Sequence, residues 1–558
     1  MTTTPVQTEP APTFSDGAFP LLTSAQIARL ATHGRRRQVI EGEVLVASGD
    51  APRHFFVVLS GRIDIVRMTT PEELIQSLGP GMFTGEATML TGRRSIATLR
   101  VGGAGELLEI ERAALLTIIQ TDSELSEILM RVFLLRRSQM ISRGLSDAVL
   151  LGSTHCSGTL RIREFLTRNG HPYTFIDLDR DSSAQELLDR FHITAADIPV
   201  LICRCTVVLR NPTNQAIAQC LGFNDAIDAT QVRDLVILGA GPSGLAAAVY
   251  AASEGLDVLV VESAAPGGQA GTSSRIENYL GFPMGISGPD LAAAAYSQAQ
   301  KFGAQVMIAA PATRITCNVK PYEIELGLGG TRVRARAVII ATGAEYRKLS
   351  LPGLERFEGA GVYYSATYME SQLCADEEVI VVGGANSAGQ AAVYLAQTAR
   401  HVHVLIRGEG LADTMSRYLI RRIDDHPGIS QHVRTEIVDL QGNGHLEQVS
   451  WKSNVTGAEE TRPIRHVFAM TGAVPSTRWL VNCLALDDKG FVKTGPDLSP
   501  EDLSAAHWPL RRAPHLLETS LPGNFAVGDV RAGSMKRVAS AVGEGSVAIA
   551  AVHRVLHE

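Results

Sequence analysis

Two glycine-rich loops, each set between a strand-like run and a helix-like run, carry the clearest chemistry in this chain. Asp234-Leu235-Val236-Ile237-Leu238 leads directly into Gly239-Ala240-Gly241-Pro242-Ser243-Gly244 and an Ala-rich helix. In such a unit the first glycine permits a tight turn, and the second lets backbone approach a pyrophosphate. The third lets helix pack on strand, with the helix N-terminus facing the anion. The next strand, 257–261, ends in Glu262, placed about 20 residues after the loop to accept from ribose hydroxyls. A second unit follows, with strand 378–382 and the loop Gly383-Gly384-Ala385-Asn386-Ser387-Ala388. Ala385 replaces the second glycine there. The strand after it, 401–406, ends in Arg407 instead of an acid. A guanidinium pairs with a 2′-phosphate, so NADPH is favoured over NADH. Two dinucleotide sites imply hydride transfer from nicotinamide to flavin, with the protein supplying position and electrostatics.

Further motifs give a specific resemblance. Pro266-Gly267-Gly268-Gln269, Ile276-Glu277-Asn278-Tyr279 and Gly281-Phe282-Pro283 resemble the flavin-contacting stretch of bacterial thioredoxin reductases. Ala341-Thr342-Gly343 is similar to that family's crossover into its nicotinamide domain. Phe525-Ala526-Val527-Gly528-Asp529 resembles the segment whose aspartate holds the flavin ribityl chain. The family's Arg-Gln-Ala near the flavin corresponds to Lys536-Arg537-Val538. The resemblance implies FAD and NADPH as cofactors, a homodimer, and a nicotinamide domain inserted into the flavin domain.

The family also carries a Cys-x-x-Cys just before the second glycine-rich loop, which passes electrons from flavin to a disulfide. This chain reads Tyr364-Ser365-Ala366-Thr367-Tyr368 there. A serine hydroxyl and a phenol cannot cycle between dithiol and disulfide. Cys374 has no partner at that spacing and is expected to be a packed, inert thiol. Frameworks of this kind without the dithiol resemble ferredoxin–NADP reductases, which hand electrons straight to an outside acceptor. A ferredoxin, a quinone, or a thiol or thioredoxin-like partner would fill that role.

Ahead of this module, 149–152 reads as a strand, Cys156-Ser157-Gly158-Thr159 opens a helix ending near Asn169-Gly170, and 173–178 is a second strand. Ser183-x-x-Glu186 looks like a capping box. The run 197–202 then enters another strand, which makes a hairpin with 206–210. The order resembles a glutaredoxin or thioredoxin-like domain, with Cys156 and Thr159 at the two redox positions and Pro199 at the family's cis proline. A helix N-terminus stabilises a thiolate, which makes Cys156 a tentative catalytic thiol limited to one-thiol chemistry. The alternative is a degenerate domain kept for docking. Cys203 and Cys205 are expected to be core thiols, because a Cys-x-Cys disulfide on a strand would be strained.

The N-terminal part holds short strand-like runs at 38–40, 43–46, 55–59 and 62–66, and a helical stretch from Ser123 to about Ser142. A small β-barrel or jelly roll is expected. Pro80-Gly81-x-Phe83-x-Gly85-Glu86 and Gly92-Arg93-Arg94-Ser95-Ile96-Ala97-Thr98 resemble the phosphate cassette of cyclic nucleotide-binding domains. By that resemblance the glutamate takes the ribose 2′-hydroxyl and an arginine neutralises the phosphate. With Gly85-Glu86 and Ala97-Thr98 in register, Ser95 falls where arginine is expected and Arg94 is one place early. The barrel is then either an effector site or a docking surface.

These motifs need several cores to position them, and 558 residues suffice for about three or four domains. The expected architecture is multidomain. A flexible tail (1–20) precedes the β-barrel or jelly roll (21–145) and a small thioredoxin-like α/β domain (146–229). Two Rossmann-like α/β domains follow: a flavin domain (230–347 and 480–558) with the NADPH domain (348–479) inserted. Apolar residues at 45%, charged residues at 20% and a net charge of −7 suit a soluble globular protein and give no sign of nucleic-acid binding. No apolar run reaches the ~20 residues of a membrane span. The Thr/Pro-rich start does not read as a secretion signal. Seven scattered cysteines are not expected to form a disulfide framework, which points to a reducing cytoplasm. No metal ligands are assigned. A cyclic-nucleotide-responsive redox sensor with little turnover stays open as an alternative to the enzyme.

Overall fold

The computed structural model describes residues 17–558, apart from 52, 68–71, 143–145, 155, 180, 182–187, 189–192, 195–196, 204–206, 318, 328 and 413–414. The expected capping box at 183–186 and Cys205 therefore lie outside the described residues. The chain divides into two compact units. One holds residues up to Ala148 with Pro172–Thr174 and Leu221–Phe223, and the other holds the remainder.

The first unit is a sandwich of two four-stranded antiparallel sheets. One runs Arg35–Val39, Gly105–Glu111, His54–Val58, Phe83–Thr84, and the other Val44–Val46, Thr98–Gly103, Arg62–Arg67, Glu73–Leu78. Alternation within the strands puts Val39, Val46, Ile63, Leu99 and Val101 inside. Phe55, Val57 and Phe83 instead meet Leu125, Leu129, Val132 and Phe133 of the long helix Ser123–Ser142. The jelly-roll expectation and the helix bounds agree with this arrangement.

Within the second unit, a small sheet orders 175–177, 149–152, Val200–Cys203 and Val207–Arg210, the last pair antiparallel. The Ile198–Pro199 peptide is cis. Cys156 is the N-cap of helix Ser157–Arg168, which buries Thr159, Ile162, Phe165 and Leu166 at helical spacing.

The flavin sheet runs Gln305–Met307, Val258–Val261, Val232–Leu238, Arg332–Ile340, Tyr322–Leu326, Ala312–Ile315. Arg332–Ile340 is long enough to take two partners along one edge. Its first half pairs antiparallel with Tyr322–Leu326, and its second half pairs parallel with Asn524–Ala526. The near-continuous apolar runs Leu235–Leu238 and Val258–Val261 suit strands covered on both faces. The nicotinamide sheet is parallel, in the order Val362–Tyr363, His466–Ala469, Glu378–Val382, His401–Ile406, Ile429–Val433. The chain leaves the flavin domain along Ala344–Tyr346 and returns along Ala473–Pro475, which pair antiparallel. The expected insertion is visible in that pairing. No helix among the described residues is long and apolar enough to cross a membrane.

One cysteine expectation fails. Cys317 and Cys483 form a disulfide, packed against the flavin-domain core. They are 166 positions apart, so spacing in the sequence gave no hint of the pair.

Candidate functional site: two nucleotide cradles and their surroundings

Helix Pro242–Ser253 begins at Gly241 with proline in its first turn, so its free N–H groups open onto the first loop. A Cβ added at Gly244 would lie 1.9 Å from Gly239 O, which is the close helix–strand approach the third glycine permits. Above Gly241 the space is open: an added Cβ would meet only Gly268 Cα, at 3.9 Å. The Pro266–Gln269 turn faces it, anchored by Gly267 N–H donating to Ala240 O at 2.7 Å. Backbone therefore lines both sides of a cradle that fits the pyrophosphate of FAD.

Glu262 is buried where the strand ends, but its carboxylate points at the loop itself. It accepts from Ala240 N at 2.7 Å and from Ala264 N at 2.8 Å. The ribose role expected of it would have to use the remaining lone pairs. Gln269 donates its side-chain amide to Ala344 O, tying the flavin stretch to the crossover strand. Asn278 is exposed in the loop closed by the Ile276–Ile286 bridge. Ala341 N–H donates to Leu238 O at 2.8 Å, Thr342 Oγ1 donates to Ser476 O at 3.2 Å, and Gly343 O accepts from Ser476 N at 3.1 Å. The crossover is thus fastened to the returning chain.

Gly528 packs on the first turn of the Pro242 helix, where an added Cβ would lie 2.5 Å from Ser243 Oγ. Burial lifts the Asp529 carboxyl above its usual range, and the Lys536 ammonium opposes the rise. Lys536 donates to Asp529 O at 2.9 Å and lies 4.7 Å from the Phe491 ring. Arg537 caps the C-terminal helix Val538–His557, of which Val538 is the first residue. Sequence reasoning missed Glu544 on that helix. Its carboxylate accepts from Gly528 N at 2.7 Å and pairs with Arg531 at 2.6 Å, fixing the Asp529 turn. Tyr346 was also missed. Burial raises its phenol, a hydrogen bond with Ser387 opposes the rise, and Asp529 adds to it. One side chain thereby relates both cradles.

In the second loop, Ala385 caps helix Asn386–Leu395, in which Ala388 is buried. Gly383 and Gly384 precede it, and Gly383 N–H donates to Leu405 O at 3.0 Å. Asn386 Oδ1 accepts from Ser416 N at 2.7 Å, so this side chain braces a neighbouring helix. Arg407 is exposed at the end of its strand, free to reach a phosphate. Ser365 is half-buried, and helix Tyr368–Leu373 starts where the second cysteine would be. Cys374 is fully buried, and burial pushes its thiol up to about 12, so it is neutral at physiological pH.

In the barrel, Gly85 adopts φ +101° and Glu86 opens helix Glu86–Thr91. Ser95 is buried and donates its hydroxyl to Ala97 O at 2.7 Å. Arg94 donates to Gly49 O at 3.1 Å, and its stem is 2.6 Å from where a Cβ at Gly222 would lie. The Arg93 guanidinium stacks on Phe223 at 4.5 Å. Both arginines of the cassette are thus engaged by the segment Leu221–Phe223.

Residues 233–545 match the family model described as pyridine nucleotide-disulphide oxidoreductase, and residues 36–122 match that of the cyclic nucleotide-binding domain. The thioredoxin reductase of Listeria monocytogenes is 33% identical over 320 residues, covering 57% of this chain and 92% of that protein. The NADPH-dependent thioredoxin reductase 3 of Arabidopsis thaliana is 31% identical over 332 residues, 58% of each chain. The crystal structure of Lactococcus lactis thioredoxin reductase aligns with a TM-score of 0.52 at 27% identity, covering 58% of this chain and 99% of that one. The thioredoxin reductase family uses FAD and NADPH. With paired cradles, an inserted nicotinamide domain and a matching model over more than half its length, this chain belongs to the pyridine nucleotide-disulphide oxidoreductases, and it carries a cyclic nucleotide-binding domain at its N-terminal end.

Proposed function

We propose that this chain is a FAD-dependent NADPH oxidoreductase whose electrons leave to an acceptor outside the chain, not through a Cys-x-x-Cys. The observation that carries this reading is Ser365 and Tyr368 at the two dithiol positions, with the nearest thiol, Cys374, buried and held neutral.

FAD, when bound, supplies the two-electron chemistry. The chain's own residues do the holding. Gly241, Ser243 and Gly244 present backbone N–H groups to the pyrophosphate, Gly239 and Pro242 shape the turn that aims them, and Gly268 and Gln269 close the facing wall. Glu262 keeps the loop in shape from behind. Asp529, fixed by Glu544 through Gly528, meets the ribityl hydroxyls. Asn278, Ala341, Thr342, Gly343, Arg537 and Val538 complete the surround. On the nicotinamide side, Gly383, Gly384, Asn386, Ser387 and Ala388 cradle the second pyrophosphate, and Arg407 pairs with the 2′-phosphate. Tyr346, which Ser387 and Asp529 both influence, would help exclude water between the two cradles.

The acceptor is a ferredoxin, a quinone, or a thiol or thioredoxin-like partner, and the enzyme works in the cytoplasm as a homodimer. A cyclic nucleotide regulates it by taking Arg94 and Arg93 in the barrel, for which Phe223 must leave the guanidinium. A second reading sends electrons through Cys156. It is favoured by the place of that residue's helix: Leu160 packs on the nicotinamide-domain core, as does Ala366 between the two replaced cysteines.

An anaerobic NADPH titration of the holoenzyme tests the first reading, and turnover of Cys156→Ser with thioredoxin or dye acceptors tests the second, which requires that turnover to be lost. Two electrons per flavin are expected for an outside acceptor. Four would put a disulfide in the circuit and overturn that reading.

A further inference from the structure

Helix Ser157–Arg168, outside the part of the chain that matches the oxidoreductase family, touches both nucleotide domains at its opposite ends. Twelve residues make a rod of about 18 Å. At its N-terminal end, Ser157 Cβ lies 3.3 Å from where a Cβ at Gly359 would be, and Leu160 packs against the nicotinamide-domain core. At its C-terminal end, Arg168 donates to Gly268 O at 3.0 Å and Asn169 donates to Ala264 O at 3.3 Å.

The two carbonyls belong to the turn that walls the flavin cradle. Gly268 adopts φ +54°, and an added Cβ there would lie 3.0 Å from Gly241 Cα. A turn so close to the pyrophosphate loop must be held within tenths of an ångström. On the cradle side, Gly267 N–H donates to Ala240 O. On the far side, the holding groups come from the small domain. Asn169 is 1% exposed and also donates to Phe165 O at 2.8 Å, so its amide is fixed by its own helix. Arg168 is oriented by Glu164 at 3.3 Å, one turn back. A charged donor to a carbonyl is a stronger restraint than a neutral one.

We propose that this helix is a strut of the flavin site, with Arg168 and Asn169 as positioning residues for the Ala264–Gly268 turn and Leu160 seating the nicotinamide domain on the same rod. The proposal rests on the reading that the first cradle binds FAD. Hydride transfer needs the two rings within about 3–3.5 Å, so a rigid element touching both domains acts on the reaction without touching either ring. Domains within one chain otherwise move relative to one another by default. The small domain then has a role that needs no redox chemistry at Cys156.

The test compares the full-length wild type with Arg168→Ala and Arg168→Lys. The readouts are FAD affinity, from fluorescence on reconstituting the apoprotein, and amide exchange over residues 264–271. Arg168→Ala is expected to weaken FAD binding about tenfold, as for loss of one hydrogen bond to a charged group. Exchange at the turn should quicken, and Arg168→Lys should recover part of both. KM for NADPH should change less than kcat, because the second cradle is untouched. Wild-type FAD affinity and exchange in Arg168→Ala would overturn the strut while leaving the flavin reading in place. A wild-type apoprotein that takes up no FAD would overturn both. A variant that loses its fold would show rapid exchange throughout. Leu160→Ala then supplies the second case: kcat should fall with FAD affinity kept, and an unchanged kcat would overturn the proposal.

Discussion

The sulfurs of Cys317 and Cys483 are bonded across 166 positions, joining the end of strand Ala312–Ile315 to the chain just after its return from the nicotinamide domain. Closing so long a loop in the unfolded chain is worth at most about 5 kcal/mol in the chain-entropy account. The double variant Cys317→Ser/Cys483→Ser should therefore unfold at lower denaturant than wild type. Thiol titration in denaturant should gain two groups after reduction. After exhaustive anaerobic NADPH reduction, alkylation should still find this pair oxidised. Alkylated Cys317 and Cys483 at that stage would place them in the electron path.

Arg407 is exposed at the end of strand His401–Ile406, where an acid would repel a 2′-phosphate. Arg407→Ala should lower kcat/KM for NADPH about tenfold or more, as expected for a lost bidentate phosphate pair, with little change for NADH. Equal losses with both cofactors would mean that Arg407 does not read the phosphate.

Phe223 covers the Arg93 guanidinium, and Gly222 abuts the Arg94 stem. A cyclic phosphate competes with this packing, so Phe223→Ala should tighten cAMP or cGMP binding severalfold, a cation–π contact being worth about 0.5–2 kcal/mol. Isothermal titration of both proteins checks it. Weaker binding in the variant would make Phe223 part of the ligand site.

His403 is almost fully buried in the nicotinamide sheet, with its Nδ1 3.1 Å from His432 Nε2 and its Nε2 3.3 Å from Glu378. Burial pushes it down to about 4. Glu378 opposes that shift, while His401, His432 and Arg462 add to it. The unfolded imidazole titrates near 6.5, so between roughly 6.5 and 4 the unfolded chain binds the extra proton. Stability from a neutral His403 is complete above that window and falls as pH drops through it. His403→Gln should make the acid loss shallower, by on the order of 3 kcal/mol at pH 4. Parallel wild-type and variant curves of unfolding free energy against pH would refute this.

What could be read from the sequence was local. The loops at 239–244 and 383–388, their strands and the helix bounds at 123–142 follow from patterns a few residues long. Ser365 and Tyr368 were legible because a missing residue type needs no structure to be noticed. Side-chain direction was less accessible. Glu262 turns to the backbone of its own loop, and Ser95 turns inward to Ala97. Long-range partners were not legible at all. Glu544, the Cys317–Cys483 bond and Arg168 on Gly268 each join residues that only tertiary packing brings together.

The antiparallel pair Ala344–Tyr346 and Ala473–Pro475 has a consequence for how the molecule is made. Strand Arg332–Ile340 waits for Asn524–Ala526, which leaves the ribosome only after the whole inserted domain has emerged. The inserted domain, with its ends side by side, can fold while its host is still incomplete. The host closes last, around the helix Val538–His557 that carries Glu544. Cofactor loading is thus a terminal event of synthesis, and ribosome-stalled chains ending before 524 should hold NADPH but no FAD.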